Sequence, residues 1–241
     1  MTEGAIKVAS YNIRKAVGRD RRRDPARILD VLNTLDADVV VLQEADKRLG
    51  QRPAALPPRM ISDHTDFVPA PLATNAVSIG WHGNAVLVKR GIEVTGCTRI
   101  DLPFFEPRGA VAVEIEDRFR VVGVHLGLLR RHRHGQLRQL RSILTERNIP
   151  TAILGDFNEW SRLEGMEELG SDFHLHMPGP SYPTVRPTGA LDRVALTHDI
   201  EVREKGVHMT ELTRIASDHL PVWVKLTLPD GAVRPAVSAV G

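Results

Sequence analysis

The sequence predicts an α/β domain in which two packed sheets are flanked by helices. Three observations carry this. Short apolar, β-branched runs recur along the whole chain, most of them bounded by Gly, Pro, Asp or Asn, as strands are. Only two or three segments have helical spacing, and they are interleaved with the strands. With 241 residues, 42% hydrophobic and 26% charged, the chain can bury a core without a disulfide or metal staple. No linker divides it, so one domain is expected over residues 1–229, followed by a flexible tail at 230–241.

Taken in order, strands are expected at 5–11, 39–43, 76–81, 85–88, 110–115, 119–124, 151–154, 193–196, 201–208 and 220–228. The first helix should span 24–35. Asp24 can cap it, Pro25 suits its first turn, and Ile28, Val31, Leu32 and Leu35 repeat at helical spacing. The second should span 135–147, with Leu137, Leu140, Ile143 and Leu144 on one face. A short helix fits 163–169. Residues 51–71 contain five prolines and read as a long surface loop.

Composition excludes several classes. No apolar run approaches the ~18 residues of a membrane span. The single cysteine, Cys97, excludes an intrachain disulfide framework. The N-terminus has no basic segment followed by an apolar one, so a cytoplasmic setting is expected. Net charge is only +2 but unevenly spread. Residues 14–27 hold seven Lys/Arg against Asp20 and Asp24; residues 130–141 hold five Arg, two His and no acid. Arginine outnumbers lysine 26 to 6. Such clusters fit either phosphate recognition through the guanidinium fork or a solvated charged surface. His132 and His134 likewise fit a solvated face better than a metal site.

The chemistry-bearing residues gather where apolar runs end. Ile153-Leu154-Gly155 leads into Asp156 and Asn158, two apart, which in extended backbone point the same way. An ordinary Asp/Asn turn would also fit. Ser217-Asp218-His219 stands directly ahead of an apolar strand, offering an imidazole able to take or give a proton near neutral pH. Three further runs end in Asn12, in Gln43-Glu44 and in His125. A polar group at a buried strand end needs a partner or costs about 1–3 kcal/mol. Five or six such ends in one chain are hard to explain as structure alone.

The ordered set Asn12, Gln43-Glu44, His125-Leu126-Gly127, Gly155-Asp156-Phe157-Asn158, Leu191-Asp192-Arg193 and Ser217-Asp218-His219 resembles the endonuclease/exonuclease/phosphatase superfamily, the deoxyribonuclease-I-like fold. The resemblance runs from about residue 6 to 228. It implies a four-layer α/β sandwich of two face-to-face, mainly antiparallel mixed sheets with helices outside. It also implies a hydrolase of phosphodiester bonds that uses Mg²⁺, with Mn²⁺ as a substitute. By the same resemblance Glu44, Asn12 and Asp218 are metal-site residues. Asp156 and Asn158 orient water and hold the phosphate, Asp192 supports that region, His219 pairs with Asp218, and His125 and Arg108 contact phosphate. Independent chemistry agrees, since a hard cation held by carboxylate oxygens neutralises charge on a reacting phosphate.

The leaving group is less determined. The family includes nucleases, abasic-site endonucleases, sphingomyelinases, inositol phosphate phosphatases and deadenylases. Abasic-site members commonly carry Tyr where His125 stands and an aromatic where Arg193 stands, which argues against that branch. A monomer that cuts DNA or RNA, steered by the two basic clusters around the site, is the first expectation. A phosphodiesterase or phosphatase for a small molecule or phospholipid is the alternative.

Overall fold

In the computed structural model, residues 5–47, 50–162 and 164–229 are described. The tail expected at 230–241 lies outside the described residues, as does Leu163. The elements in chain order are β1 (Ala5–Asn12), α1 (Pro25–Thr34), β2 (Val39–Gln43), α2 (Pro58–His64), β3 (Phe67–Pro69), β4 (Ala85–Lys89), β5 (Val94–Asp101), β6 (Gly109–Ile115), β7 (Phe119–His125), α3 (Arg130–Leu144), β8 (Thr151–Asp156), β9 (His174–His176), β10 (Asp192–Leu196), β11 (Glu201–Val207), α4 (Glu211–Ala216) and β12 (Val222–Thr227).

They form two six-stranded sheets, ordered β11-β12-β1-β2-β4-β3 and β5-β6-β7-β8-β10-β9. Each sheet has one parallel pair, β1 with β2 and β7 with β8, and is otherwise antiparallel. A helix connects each parallel pair, as a parallel crossover requires. The two halves therefore repeat one topology, although no sequence repeat announces it.

Period-two alternation builds the layers. In β2, Val39 and Val41 join a core shared by both sheets, with Val111, Val121, Leu154 and Val194 from the facing sheet. Val40 and Leu42 point the other way, into a second core with Ile28 and Leu32 of α1. On the other side Leu137 and Leu140 of α3 cover Val122 and Ile153. The result is the four-layer sandwich. Among the described residues no helix is long and apolar enough to cross a membrane.

Several expectations need correction. Residues 76–81 form no strand, because the Asn75 side chain accepts the backbone N–H groups of Val77 and Ser78 and turns the chain. The proline-rich 51–71 segment holds α2 and β3. The edge strand β5, with its Gly, Thr and Arg, carries little apolar signal and was not expected. Helix α3 begins at Arg130 rather than 135 and stops at Leu144. Its first turns are held by buried polar contacts that apolar periodicity cannot register. Arg133 donates to Leu128 O (2.6 Å) and to Glu159 (2.6 Å), and Gln136 accepts from Gly127 N (2.8 Å). In place of a helix at 163–169 there is a 3-10 segment at Glu167–Asp172.

Candidate active site

Strand register assembles the site. His125 ends β7 opposite Asp156, the last residue of the parallel strand β8. Asp192, the first residue of antiparallel β10, is the register partner of Asp156 on its other side. One row across one sheet thus reads His125, Asp156, Asp192. Gly155 makes the close strand approach possible, since a Cβ there would lie 1.9 Å from Val124 O. In the facing sheet Asn12 and Gln43 end the other parallel pair.

The two sheets meet through Asp156. Its Oδ2 accepts Asn12 Nδ2 at 3.1 Å, and lies 3.5 Å from His125 Nε2 and 3.7 Å from His219 Nε2. Its Oδ1 accepts Asn158 N at 2.9 Å. Asn158, held at φ 52°, donates its side-chain amide to Leu126 O. Ser217 Oγ donates to Asn12 O (2.7 Å), tying the turn before β12 to the end of β1.

His219 is oriented from below. Its Nδ1 lies 2.8 Å from Asp192 Oδ2, which also accepts Ser181 Oγ at 2.5 Å. Tyr182 is tilted over the ring at 4.7 Å. The imidazole's carboxylate partner is therefore Asp192, and not the adjacent Asp218 that the sequence pairing pointed to. Asp218 Oδ2 instead lies 3.4 Å from Arg14 Nε. Burial alone would depress the His219 pKa. The facing carboxylates Asp192, Asp156 and Asp218 override it and lift it to about 10, so the ring is an imidazolium at neutral pH. Burial also pushes the Asp156 carboxyl upward, against the pull of His219.

Eight of the nine residues singled out from the sequence line one cleft of about 260 Å³: Asn12, Glu44, Arg108, His125, Asp156, Asn158, Asp218 and His219. Asp192 lies beneath it, fully buried. Sequence reasoning missed Ser181, Tyr182 and Trp160, and took in Lys15 only as one of the seven cations of residues 14–27. Lys15 follows shortly after Asn12. It forms an ion pair with Glu44, and Arg14, Lys15, Ala16 and Glu44 all hold positive φ. Non-glycine residues in that region cost on the order of 1 kcal/mol each and cluster where geometry serves function.

A divalent cation suits these donors. Glu44, Asp218 and the Asn12 amide offer hard oxygens at the cleft, and Glu44 already attracts a cation, the Lys15 ammonium. Among the described residues no three of His, Cys, Asp and Glu form a closed cage. An ion with few protein ligands and much retained water fits such a site.

The arginine clusters differ from expectation. In α3, Arg130 pairs with Glu164, Arg133 with Glu159, Arg138 with Glu168 and Arg141 with Asp172. The acids come from the segment after β8, so the charge is largely spent within the fold. His132 is buried and stacked on Phe104 at 4.5 Å rather than solvated. Arg193 is buried too, holding the backbone of Glu159, Ser161 and Ala190. In the first cluster Arg19, Arg21, Arg22 and Arg23 remain exposed.

Residues 9–219 match the Endonuclease/Exonuclease/phosphatase family. The chain belongs to that family. Its members are hydrolases of phosphoester bonds and generally use divalent metal ions. The chain is 27% identical over 247 residues to the uncharacterized protein YbhP of Escherichia coli (strain K12), covering 93% of this chain and 97% of that one. The mannosyl-6-phosphatase of Bacteroides thetaiotaomicron superposes with a TM-score of 0.68 at 17% identity, over 92% of this chain and 100% of the other. TDP2 of D. rerio, in complex with a single-strand DNA product, gives 0.68 at 15% identity, over 92% and 99%. At these identities the structural likenesses establish the fold.

Proposed function

We propose that the protein is a divalent-metal-dependent phosphodiesterase acting at the Asp156 cleft. The observation that carries this is the convergence of Asn12, His125 and His219 on one carboxylate oxygen, Asp156 Oδ2, beside the oxygens of Glu44 and Asp218. Glu44, with Asn12 and Asp218, would hold Mg²⁺ or Mn²⁺. The bound ion would supply Lewis-acid polarisation of the phosphate and neutralise its developing charge. Asp156, whose proton affinity is raised by burial, takes a proton from the attacking water, with Asn158 beside it. The His219 imidazolium, fixed by Asp192, presents Nε2–H to a phosphate oxygen and stabilises charge in the transition state. His125 and Arg108 donate to the same phosphate.

The neutralised arginines of α3 favour a compact substrate over a long polyanion. The cleft also has an apolar bank, built from Leu128, Trp160, Tyr182 and Leu191. Cleavage of DNA or RNA is the second reading, favoured by the exposed arginines at 19 and 21–23. The test is turnover with Mg²⁺ of bis-p-nitrophenyl phosphate, phospholipids, sugar phosphates, plasmid, single-stranded DNA and RNA, for wild type and Asp156→Asn. Turnover of no phosphoester, or turnover unaffected by the substitution, would overturn the proposal.

A further inference from the structure

A second pocket of about 140 Å³ adjoins the candidate cleft. Glu44, Arg108 and His125 line both, so a group in the pocket would belong to the same molecule as a phosphate in the cleft. The pocket's own walls carry Lys15, Lys47, Arg52 and His82. Of these only Lys15 entered the sequence reading, as one of the cations of residues 14–27.

Three carboxylates, Glu44, Asp46 and Glu106, line the pocket as well; Lys15 pairs with Glu44 and Arg108 with Glu106, so the cations left over are Arg52 and Lys47. Arg52 Nη1 lies 3.0 Å from His82 Nδ1. Burial first and the Arg52 charge next push the His82 pKa down, against Asp101, whose Oδ1 lies 3.7 Å from Nε2. Among the described residues no carboxylate lies within ion-pair distance of Arg52 or Lys47. Arg108 is only 7% exposed; its Nη2 holds Glu106 at 2.6 Å, and its buried Nε has no acceptor. Asp46, which also lines the pocket, accepts Ser78 Oγ (2.8 Å) and Ile79 N (3.1 Å) and feels the Arg52 charge without a direct ion pair.

The walls are also built to hold their shape. Arg52 and His82 sit at φ 51° and 49°. The turn carrying His82 is pinned to β6 by Asn84 Nδ2 donating to Gly109 O at 2.8 Å. Gly109 lets that turn approach, since a Cβ there would lie 2.8 Å from Trp81 Cδ1 and 2.9 Å from His82 Cδ2. Strained backbone and a buried, half-paired guanidinium are costs that a preformed anion site explains.

We propose that this pocket is a specificity subsite for a second phosphate group, carried by the substrate beside the phosphoester that is cut. Guanidinium forks and ammonium groups suit a phosphate's oxygens, and the volume admits one such group, not a continuing chain. The assignment rests on the phosphodiesterase reading and narrows it to substrates with two phosphates a few bonds apart.

Binding tests it separately from turnover. The full-length protein is titrated by calorimetry, without added divalent cation, with alkanediol bisphosphates of two to four carbons and with the matching alkyl monophosphates. The best bisphosphate should bind at least about tenfold more tightly than its monophosphate, as extra charge-assisted hydrogen bonds give. Lys47→Ala and Arg52→Gln should each reduce that ratio to about threefold or less, on the same scale. Lys47 is exposed, so its substitution leaves folding intact. A wild-type ratio near one, or a ratio kept in both variants, overturns the subsite. A retained bisphosphate preference that both variants abolish, beside no turnover of any phosphoester with Mg²⁺, would sink the hydrolase reading and leave the anion pocket standing.

Discussion

The Lys15 ammonium forms a direct ion pair with the Glu44 carboxylate, and both residues hold left-handed backbone. Glu44 ends the run of β2 and Lys15 follows shortly after β1, so the pairing depends on the parallel alignment of those strands. A cation that binds Glu44 must displace or share with this lysine.

Lys15→Met should therefore tighten Mg²⁺ or Mn²⁺ binding several-fold, because a competing charge is removed from a partly buried pair. Glu44→Ala should weaken it and collapse activity. Calorimetric metal titration of wild type and both variants decides the matter. Equal affinities in all three proteins would remove Glu44 from the metal site.

His219→Ala should lose about 10²–10⁴ in turnover, the range of a positioned proton-transfer or charge-stabilising group. The pH profile gives a sharper reading. With its pKa lifted to about 10, His219 stays charged across neutral pH, and activity should fall as pH rises through that value. Asp192→Asn removes the carboxylate that holds Nδ1, so the alkaline limb should move toward neutral. An unmoved limb would mean that His219 does not set it. Stability follows the same sign. A folded pKa above the ordinary value stabilises the fold in full below about pH 6.5, and that contribution is lost as pH rises through about 10.

Asp156→Asn should separate activity from stability. The carboxyl's pKa is raised by burial, so its charged form is a net burden on the fold at neutral and alkaline pH. The amide has similar shape and no charge. Turnover should drop by about 10² or more while the melting temperature at pH 8 holds or rises. A large loss of melting temperature would show that the carboxylate holds the two sheets together.

Arg133 and Glu159 are both buried and pair at 2.6 Å, joining α3 to the segment after β8. Arg133→Ala should cost about 3–5 kcal/mol in unfolding free energy, as removal of one partner from a buried pair does. Denaturant titration checks this. A loss under about 1 kcal/mol would place the pair with weakly coupled surface bridges.

If the protein cuts DNA, its salt dependence should come from the exposed arginines at 19 and 21–23 and not from α3. The slope of log affinity against log salt is about −0.9 per phosphate contact, and most α3 arginines already have acid partners. Arg138→Ala should leave KM for plasmid DNA within about twofold, as expected for a charge already cancelled by Glu168. A large effect of that substitution would restore α3 as part of a polyanion track.

Most central strands were legible in the sequence, because short β-branched runs bounded by turn residues, buried on both faces in the fold, have few other ways to fold. The cap of α1 was legible for a similar reason: Asp24 accepts Arg27 N within one turn, a contact that sequence distance already guarantees. The polar strand ends were legible as anomalies, since Asn12, His125 and Asp156 each close an apolar run. What they touch was not. Asp192 rather than Asp218 holds His219, because the sheet brings a residue 27 positions away closer to Nδ1 than the direct neighbour can come. The arginines of α3 read as free charge until the fold placed Glu159, Glu164, Glu168 and Asp172 against them. The sequence by itself determined which groups can do chemistry and where strands end. Tertiary structure alone decided their partners, because an ion pair or hydrogen bond is chosen by distance in space, and register between strands far apart in the chain sets that distance.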